Sequence, residues 1–202
     1  MVCEMQKNID EEGSQGVQGV RLSSFVCSVL YSHAGGLETM STFDAKIQAA
    51  IGSQYPSVVV PIINAASQSI DIMMYEWKWY SHENAGGVEK FNLAIQGAAR
   101  RGVKVRVLMN IESMGHAITK INCRTEQFLR LAGIEVKFGQ IGVATHAKLL
   151  IFDNRLMVLG SHNISKGSFS RNQEASIVVE GGEAIRAYID YFGLLWQQMN
   201  NG

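Results

Sequence analysis

From Thr42 onward, apolar residues recur at regular spacings, whereas residues 1–40 are rich in Gly, Ser and Gln and sustain no period. Phe43, Ile47, Ala50 and Ile51 lie at helical spacing and predict a first helix. A second helix is expected to begin near Pro61, since proline suits a first turn. Ser69–Tyr75 reads as a strand, with Ile70, Ile72 and Met74 on one face. Val88, Phe91, Ile95 and Ala99 mark a helix that stops at Arg101-Gly102, a basic last turn followed by glycine. Lys104 and Arg106 alternate with valines over Val103–Leu108, which is strand periodicity. A short helix over Glu126–Leu131 and a strand over Ile134–Phe138 follow. Two more strands flank Asp153-Asn154, and another spans Ala175–Val179. The last helix should bury Ile185, Ile189, Phe192, Trp196 and Met199.

Strands alternating with helices predict an α/β fold, a mixed β-sheet flanked by helices on both faces. The expected organisation is an N-terminal extension over residues 1–40, disordered or upstream of a true start at Met40, and a single catalytic domain over 41–202. Hydrophobic residues make up 47% of the 202, enough for a real core. Residues 1–39 carry two basic and five acidic side chains, so the remainder has a net charge of +3. Such a body suits an anionic substrate without identifying one. Cys3, Cys27 and Cys123 show no zinc spacing, and an odd count is a poor disulfide framework, so reduced thiols in a cytoplasmic protein are expected. Secretion or periplasmic export is the alternative if residues 22–36 act as a signal segment. No apolar run is long enough to span a bilayer, so stable membrane insertion is not expected.

The informative run is His146–Asn163, HAKLLIFDNRLMVLGSHN. Asp153-Asn154 between two strand-like stretches signals a two-residue hairpin, because Asp and Asn tolerate left-handed backbone. That turn would pair 152 with 155 and place His146 opposite Ser161. Alternation then gathers His146, Lys148, Ser161 and Asn163 on one face, while Ala147, Leu149 and Ile151 point into apolar packing. A bulge would shift this register by one. A neutral imidazole can attack phosphorus. Lys148 would neutralise the non-bridging oxygens of a phosphodiester, and Ser161 and Asn163 would donate hydrogen bonds to them. A carboxylate is useful for fixing the attacking tautomer, and Glu174 lies just downstream. No carboxylate cluster accompanies the patch, so neither metal nor cofactor is expected.

His146-x-Lys148-x4-Asp153-x6-Gly160-Ser161-x-Asn163 resembles, without a gap, the HKD motif of the phospholipase D superfamily. The similarity extends over about residues 42–198, through SIDIMMYEW, AARRGVKVRVLMN and the glutamate of NQEASIVV. The resemblance implies a phospholipase D-like fold with His146 as nucleophile. It also implies that Lys148, Ser161 and Asn163 hold the phosphate and that Glu174 orients the histidine. Asp153 is the motif's aspartate, and its place in a turn favours a supporting or turn-forming role over contact with substrate. One-chain members of the family resemble two fused repeats, each with a motif, whereas this chain has one. A single imidazole is ill suited to be both nucleophile and the acid for a leaving oxygen on the far side. Small single-motif members form twofold dimers, so the resemblance implies a homodimer with a shared site.

Within the same run, His162 should point away and serve structure. Lys166 and Arg171 are candidates for contacts with flanking phosphates or for ordinary loop charge. Trp77, Trp79 and Tyr80 are expected to pack rather than stack on bases. The reading that follows is a metal-independent endonuclease cleaving DNA or RNA through a phosphohistidine. The alternatives are a phospholipase D or phosphatidyl transferase acting on lipid headgroups, and a catalytically silent phosphate-binding subunit.

Overall fold

The computed structural model describes residues 43–80 and 86–199. Its strands are β1 (Lys46–Ile51), β2 (Ser69–Met74), β3 (Lys104–Met109), β4 (Glu135–Phe138), β5 (Leu149–Phe152), β6 (Leu156–Gly160) and β7 (Ala175–Glu180). Its helices are α1 (Tyr55–Ala65), α2 (Gly87–Arg100), α3 (Ala117–Leu131), α4 (Lys166–Ser170) and α5 (Arg186–Gln198). The strands form one sheet in the order β1-β7-β6-β5-β2-β3-β4. β2, β3 and β4 are parallel, and the remaining pairings are antiparallel. The expected mixed α/β sheet is present.

Alternation along the central strands sorts the core into two layers. Ile70, Ile72 and Met74 of β2 join Leu150 and Phe152 of β5 beneath α1 and α2, where Val59, Ile63, Phe91 and Ile95 are fully buried. Met73, Leu108, Leu149 and Ile151 face the other way and are covered by Ile185, Phe192 and Trp196 at α5. Helices therefore lie on both faces. Burying a side chain such as Phe192 contributes about 1.5–3 kcal/mol. On the α5 side, Asp71 is buried among apolar groups and is paired with Arg106 opposite it by two hydrogen bonds of 2.7 Å. The Arg106 guanidinium also lies 5.0 Å from the Phe192 ring centroid. A buried carboxylate that lost this partner would cost about 3–5 kcal/mol. Among the described residues, no helix is long and apolar enough to cross a membrane.

Several local expectations are corrected. Residues 46–51 form an edge strand on β7, not a helix. Ile47 and Ile51, which suggested the helical period, are exposed, and in that strand only Ala50 is buried. The ladder with β7 outweighs the pattern. α1 starts at Tyr55 with Pro56 in its first turn, and Pro61 lies inside it. α3 runs 15 residues rather than covering only Glu126–Leu131. Its first half buries Thr119 and Asn122, polar residues that hide the apolar period. Cys123 is disulfide-bonded, contrary to the expectation of reduced thiols. The predicted 1–40 extension also lies outside them.

The hairpin keeps its turn but changes register. Asp153 and Asn154 have φ of 52° and 51°, and Arg155 N–H donates to the Phe152 carbonyl at 3.0 Å. Phe152 nevertheless pairs with Leu156, so Arg155 is an extra residue on the second strand. Arg155 is held outside the ladder by Glu180 on β7, at 2.9 Å, and by its carbonyl, which accepts from Gly181 N–H.

Asp153 is not beside the histidine. It sits at the far end of β5 and accepts from the backbone N–H groups of Ser67, Gln68 and Ser69 and from the Ser67 hydroxyl. Burial pushes the Asp153 carboxyl up, but these four donors outweigh it and hold it below the usual range. A carboxyl depressed on folding stabilises the protein above its unfolded pKa, and that contribution fades as pH falls through the folded value. Asp153→Ala is expected to lower stability by about 1–2 kcal/mol at pH 7 while the folded variant keeps its activity. Denaturant melts should show the difference from wild type shrinking as pH is lowered towards 3, with activity per folded molecule unchanged.

Candidate active site

The carboxyl ends of parallel strands expose backbone groups and loops, and ligands bind there in open α/β sheets. At that end meet the exits of β2 and β3, the entry to β5, the exit of β6 and the entry to β7. Three buried polar residues fix these loops. Asn122 on α3 donates to the carbonyls of Tyr75 and Asn110 and accepts from Trp77 N–H. Asn110 accepts from Thr145 N–H at 2.8 Å, which fixes the backbone just before His146. Thr125 bonds the Trp77 carbonyl.

His146 is exposed, whereas Lys148 is only 8% exposed. Lys148 Nζ donates to the His146 carbonyl at 2.7 Å and lies 3.3 and 3.4 Å from the two ring nitrogens. Near-equal distances place the ammonium over the ring rather than on one nitrogen, so neither nitrogen is consumed by it. Tyr75 completes the group. Its ring centroid is 4.8 Å from that of His146, tilted 56°, and Lys148 Nζ is 5.1 Å from the same ring. Burial pulls the Lys148 ammonium below its ordinary pKa, partly opposed by the negative charge of Glu174.

Ser161 and Glu174 do something different from what the motif suggested. With the register shifted, Gly160 rather than Ser161 closes the β5 ladder, its N–H donating to the Lys148 carbonyl. Ser161 N–H donates to the Ala175 carbonyl, and its hydroxyl donates to Glu174 while accepting from Ala175 N–H. A serine has one hydroxyl proton, so none is left for a phosphate. Glu174 also accepts from Ser168 at 3.0 Å and Asn172 at 3.1 Å. Burial raises its pKa, but the Ser161, Asn172 and Ser168 donors outweigh that and keep it ionised. Within one chain, Glu174 bonds these three residues and not His146. Asn163 Oδ1 accepts from Glu76 N–H at 3.2 Å, so the donor half of this amide is its Nδ2. Gly160 has its own reason: a Cβ there would collide with the Ser176 hydroxyl and the Ala175 carbonyl.

His162 is structural, as alternation indicated. It is fully buried and stacks on Tyr55 at 4.2 Å, and its two nitrogens meet Ser176 Oγ and the Gly52 carbonyl. Burial lowers its pKa, against the Gly52 hydrogen bond and the Glu174 charge. Trp77 is buried with its indole N–H on Asn92, and Trp79 stacks on Phe128. Tyr80 carries the Lys166 ammonium 4.7 Å from its ring and accepts from Lys166 N–H. Lys166 and Arg171 are exposed, at the start and just past the end of α4. Tyr75, Asn110 and Asn122 were missed in the sequence. The one available signal was that Tyr75 follows directly on a central apolar strand.

The chain matches the family described as "Cardiolipin synthase, PLD-like domain" over residues 59–196. A mitochondrial cardiolipin hydrolase from Homo sapiens is 29% identical over 136 residues, covering 67% of this chain and 48% of that protein. A phospholipase D from Rickettsia conorii is 29% identical over 96 residues, covering 48% of this chain and 46% of that protein. The chain thus spans about half the length of these curated relatives. Among solved structures, Nuc from Salmonella typhimurium, a phospholipase D family member, superposes with a TM-score of 0.65 at 20% identity. That match covers 79% of this chain and 99% of Nuc. NucT from Helicobacter pylori gives 0.63 at 19% identity over 79% of this chain and 100% of NucT. The match over residues 59–196, more than half of the chain, makes it a member of the phospholipase D-like family.

Proposed function

We propose that this chain is a metal-independent phosphodiesterase that acts through a phosphohistidine on His146, in a homodimer whose two copies share one site. The observation that carries this reading is the packing of Lys148 and Tyr75 against an exposed imidazole. The ammonium is desolvated and held against the ring that would carry the phosphate, and charge stabilisation is strongest in such a setting. His146 Nε2 attacks phosphorus as the P–O bond to the leaving group breaks. Lys148 and Asn163 Nδ2 hold the non-bridging oxygens. The partner's His146 protonates the leaving oxygen and then takes a proton from the water that attacks phosphorus, and the P–N bond breaks as the new P–O bond forms, which frees His146. Ser161 holds Glu174 in place, and the charge of Glu174 partly offsets the effect of burial on Lys148.

For the substrate, the rim supports a nucleic acid. Lys166 lies three residues beyond Asn163 with its ammonium against the Tyr80 ring, and a cation paired with an aromatic side chain suits a phosphate chain with bases. A lipid headgroup is the second reading, favoured by the names of the curated relatives, a cardiolipin hydrolase and a phospholipase D.

Hydrolysis of a single-stranded oligonucleotide is expected to exceed that of cardiolipin or phosphatidylcholine vesicles and to persist in EDTA. Quenching during turnover should trap label on the protein, and His146→Ala should remove both the label and activity by about 10³-fold or more. A strict requirement for a divalent ion would refute the mechanism, and preference for the vesicles would select the lipid reading.

Lys148 must be charged, and its charge is lost as pH rises. Its lowered pKa therefore places the alkaline limb of kcat/KM below the ordinary lysine range. Lys148→Arg should move that limb upward at a reduced rate, and identical limbs in both proteins would remove Lys148 from the profile.

Mixing His146→Asn with Lys148→Ala subunits should not restore the wild-type rate, because each shared site would still lack one imidazole and one ammonium. Recovery of full activity on mixing would show that a shared site works with a single imidazole and a single ammonium, one from each chain.

A further inference from the structure

On the α5 side of the sheet, a cavity of about 140 Å³ has His146 as part of its wall. Its floor is apolar: Met73 and Leu108 are 2% and 1% exposed and belong to the core layer that α5 covers. Its rim is open, since Val143 and Tyr191 are 61% and 50% exposed and the lining residues Gln140 and Gln198 are exposed as well. None of the residues lining it is Asp, Glu, Lys or Arg. The Lys166–Tyr80 pair belongs to the other face of the sheet, where Tyr80 packs on the core layer beneath α1 and α2.

We propose that this cavity is a base subsite, which takes a pyrimidine from one of the two nucleotides joined to the phosphate that reacts at His146. The inference rests on the nucleic-acid reading of the site and adds to it a choice of base. Size is the first argument. An apolar cavity of about 150 Å³ accepts one benzene-sized ring, so this one has room for a single six-membered ring and not for a fused pair. The edges of the ring are the second. A pyrimidine has one apolar edge, C5–C6, and one polar edge, running from O2 through N3 to the substituent on C4. With the apolar edge on Met73 and Leu108, the polar edge stays at the rim, where the Gln140 and Gln198 amides offer both donors and acceptors. Tyr191 adds an aromatic face on which a base stacks. A purine in the same orientation would bury its N7 acceptor on that floor without a donor. Reach is the third argument: His146 lines the cavity, and a base is one sugar away from the phosphate of its own nucleotide. Entry requires a base that has left its stack, so the strand is single at that point. The lipid part of a phosphatidyl group fits less well. An acyl chain needs a channel longer than one ring, and a charged headgroup would meet no opposite charge among the lining residues.

The test uses the full chain and single-stranded DNA. Cut sites in a random-sequence pool are mapped by sequencing. Values of kcat/KM are then measured on oligonucleotides with thymidine, deoxyguanosine or an abasic sugar at the preferred position. Wild type should favour a pyrimidine at one of the two nucleotides joined to the cut phosphate, by about 10-fold or more over a purine or an abasic sugar. Leu195→Trp fills the cavity and should bring that ratio to within about twofold. Gln198→Ala, at an exposed position, removes one rim amide and should reduce the ratio by about threefold or more, which keeps the test decisive if Leu195→Trp does not fold. Leu93→Gln, at an exposed position of α2 on the other face of the sheet, should keep the wild-type ratio. Equal cutting beside every base at both positions, or a preference that survives in both cavity variants, would overturn the base subsite and leave the nuclease standing. If cardiolipin vesicles are hydrolysed and no oligonucleotide is, the nucleic-acid reading falls and the subsite falls with it.

Discussion

The antiparallel pairing of β2 with β5 is the contact on which the rest of the molecule depends. Only four residue pairs form it, from Ile70–Phe152 to Met73–Leu149. It joins the parallel half of the sheet to the antiparallel half, and both of its faces are buried. A slip of one residue would turn Leu150 and Phe152 towards α5 and Leu149 and Ile151 towards α1, exchanging the two cores. Asp153 clamps one end of this pairing through three backbone N–H groups of the segment entering β2. The other end delivers Tyr75 beside His146. The aspartate of the motif and the histidine are thus linked through the strand between them, and the aspartate acts on register rather than on substrate.

The site shows a division of labour among polar groups. Ser161, Ser168 and Asn172 are all committed to Glu174, which leaves one carboxylate rigidly placed and ionised near a desolvated ammonium. Asn110 and Asn122 are committed to backbone and hold the loops that carry Tyr75 and His146. Lys148 is packed against His146, and the Asn163 side-chain oxygen is fixed by Glu76 N–H. Preorganisation of this kind lets charge developing on a phosphate meet fixed dipoles without reorganisation.

Much of the architecture could be read from periodicity, because alternation in β2 and β3 and the stripe on α5 are long and regular. Reading failed where a single surface pattern had two meanings. Ile47 and Ile51 fit a helix, but edge pairing with β7 decided otherwise. The first half of α3 shows no apolar period because Thr119, Asn122 and Thr125, which it buries, serve the site instead of the apolar core. The hairpin turn was legible from Asp153-Asn154, yet the extra residue Arg155 was not, since its reason is Glu180 on another strand.

By itself, the sequence determined the chemistry on offer: a histidine and a lysine two residues apart, a fixed downstream Gly-Ser-x-Asn, and strands to present them. Those are covalent facts, and local backbone preference is enough to turn them into a strand-borne constellation. Only the tertiary structure decided who touches whom. It gave Ser161 to Glu174, sent Asp153 to the opposite end of the sheet, and brought Tyr75 from 71 positions upstream of His146 to its ring. Such assignments depend on register and strand order, which long-range pairing settles and no local pattern encodes.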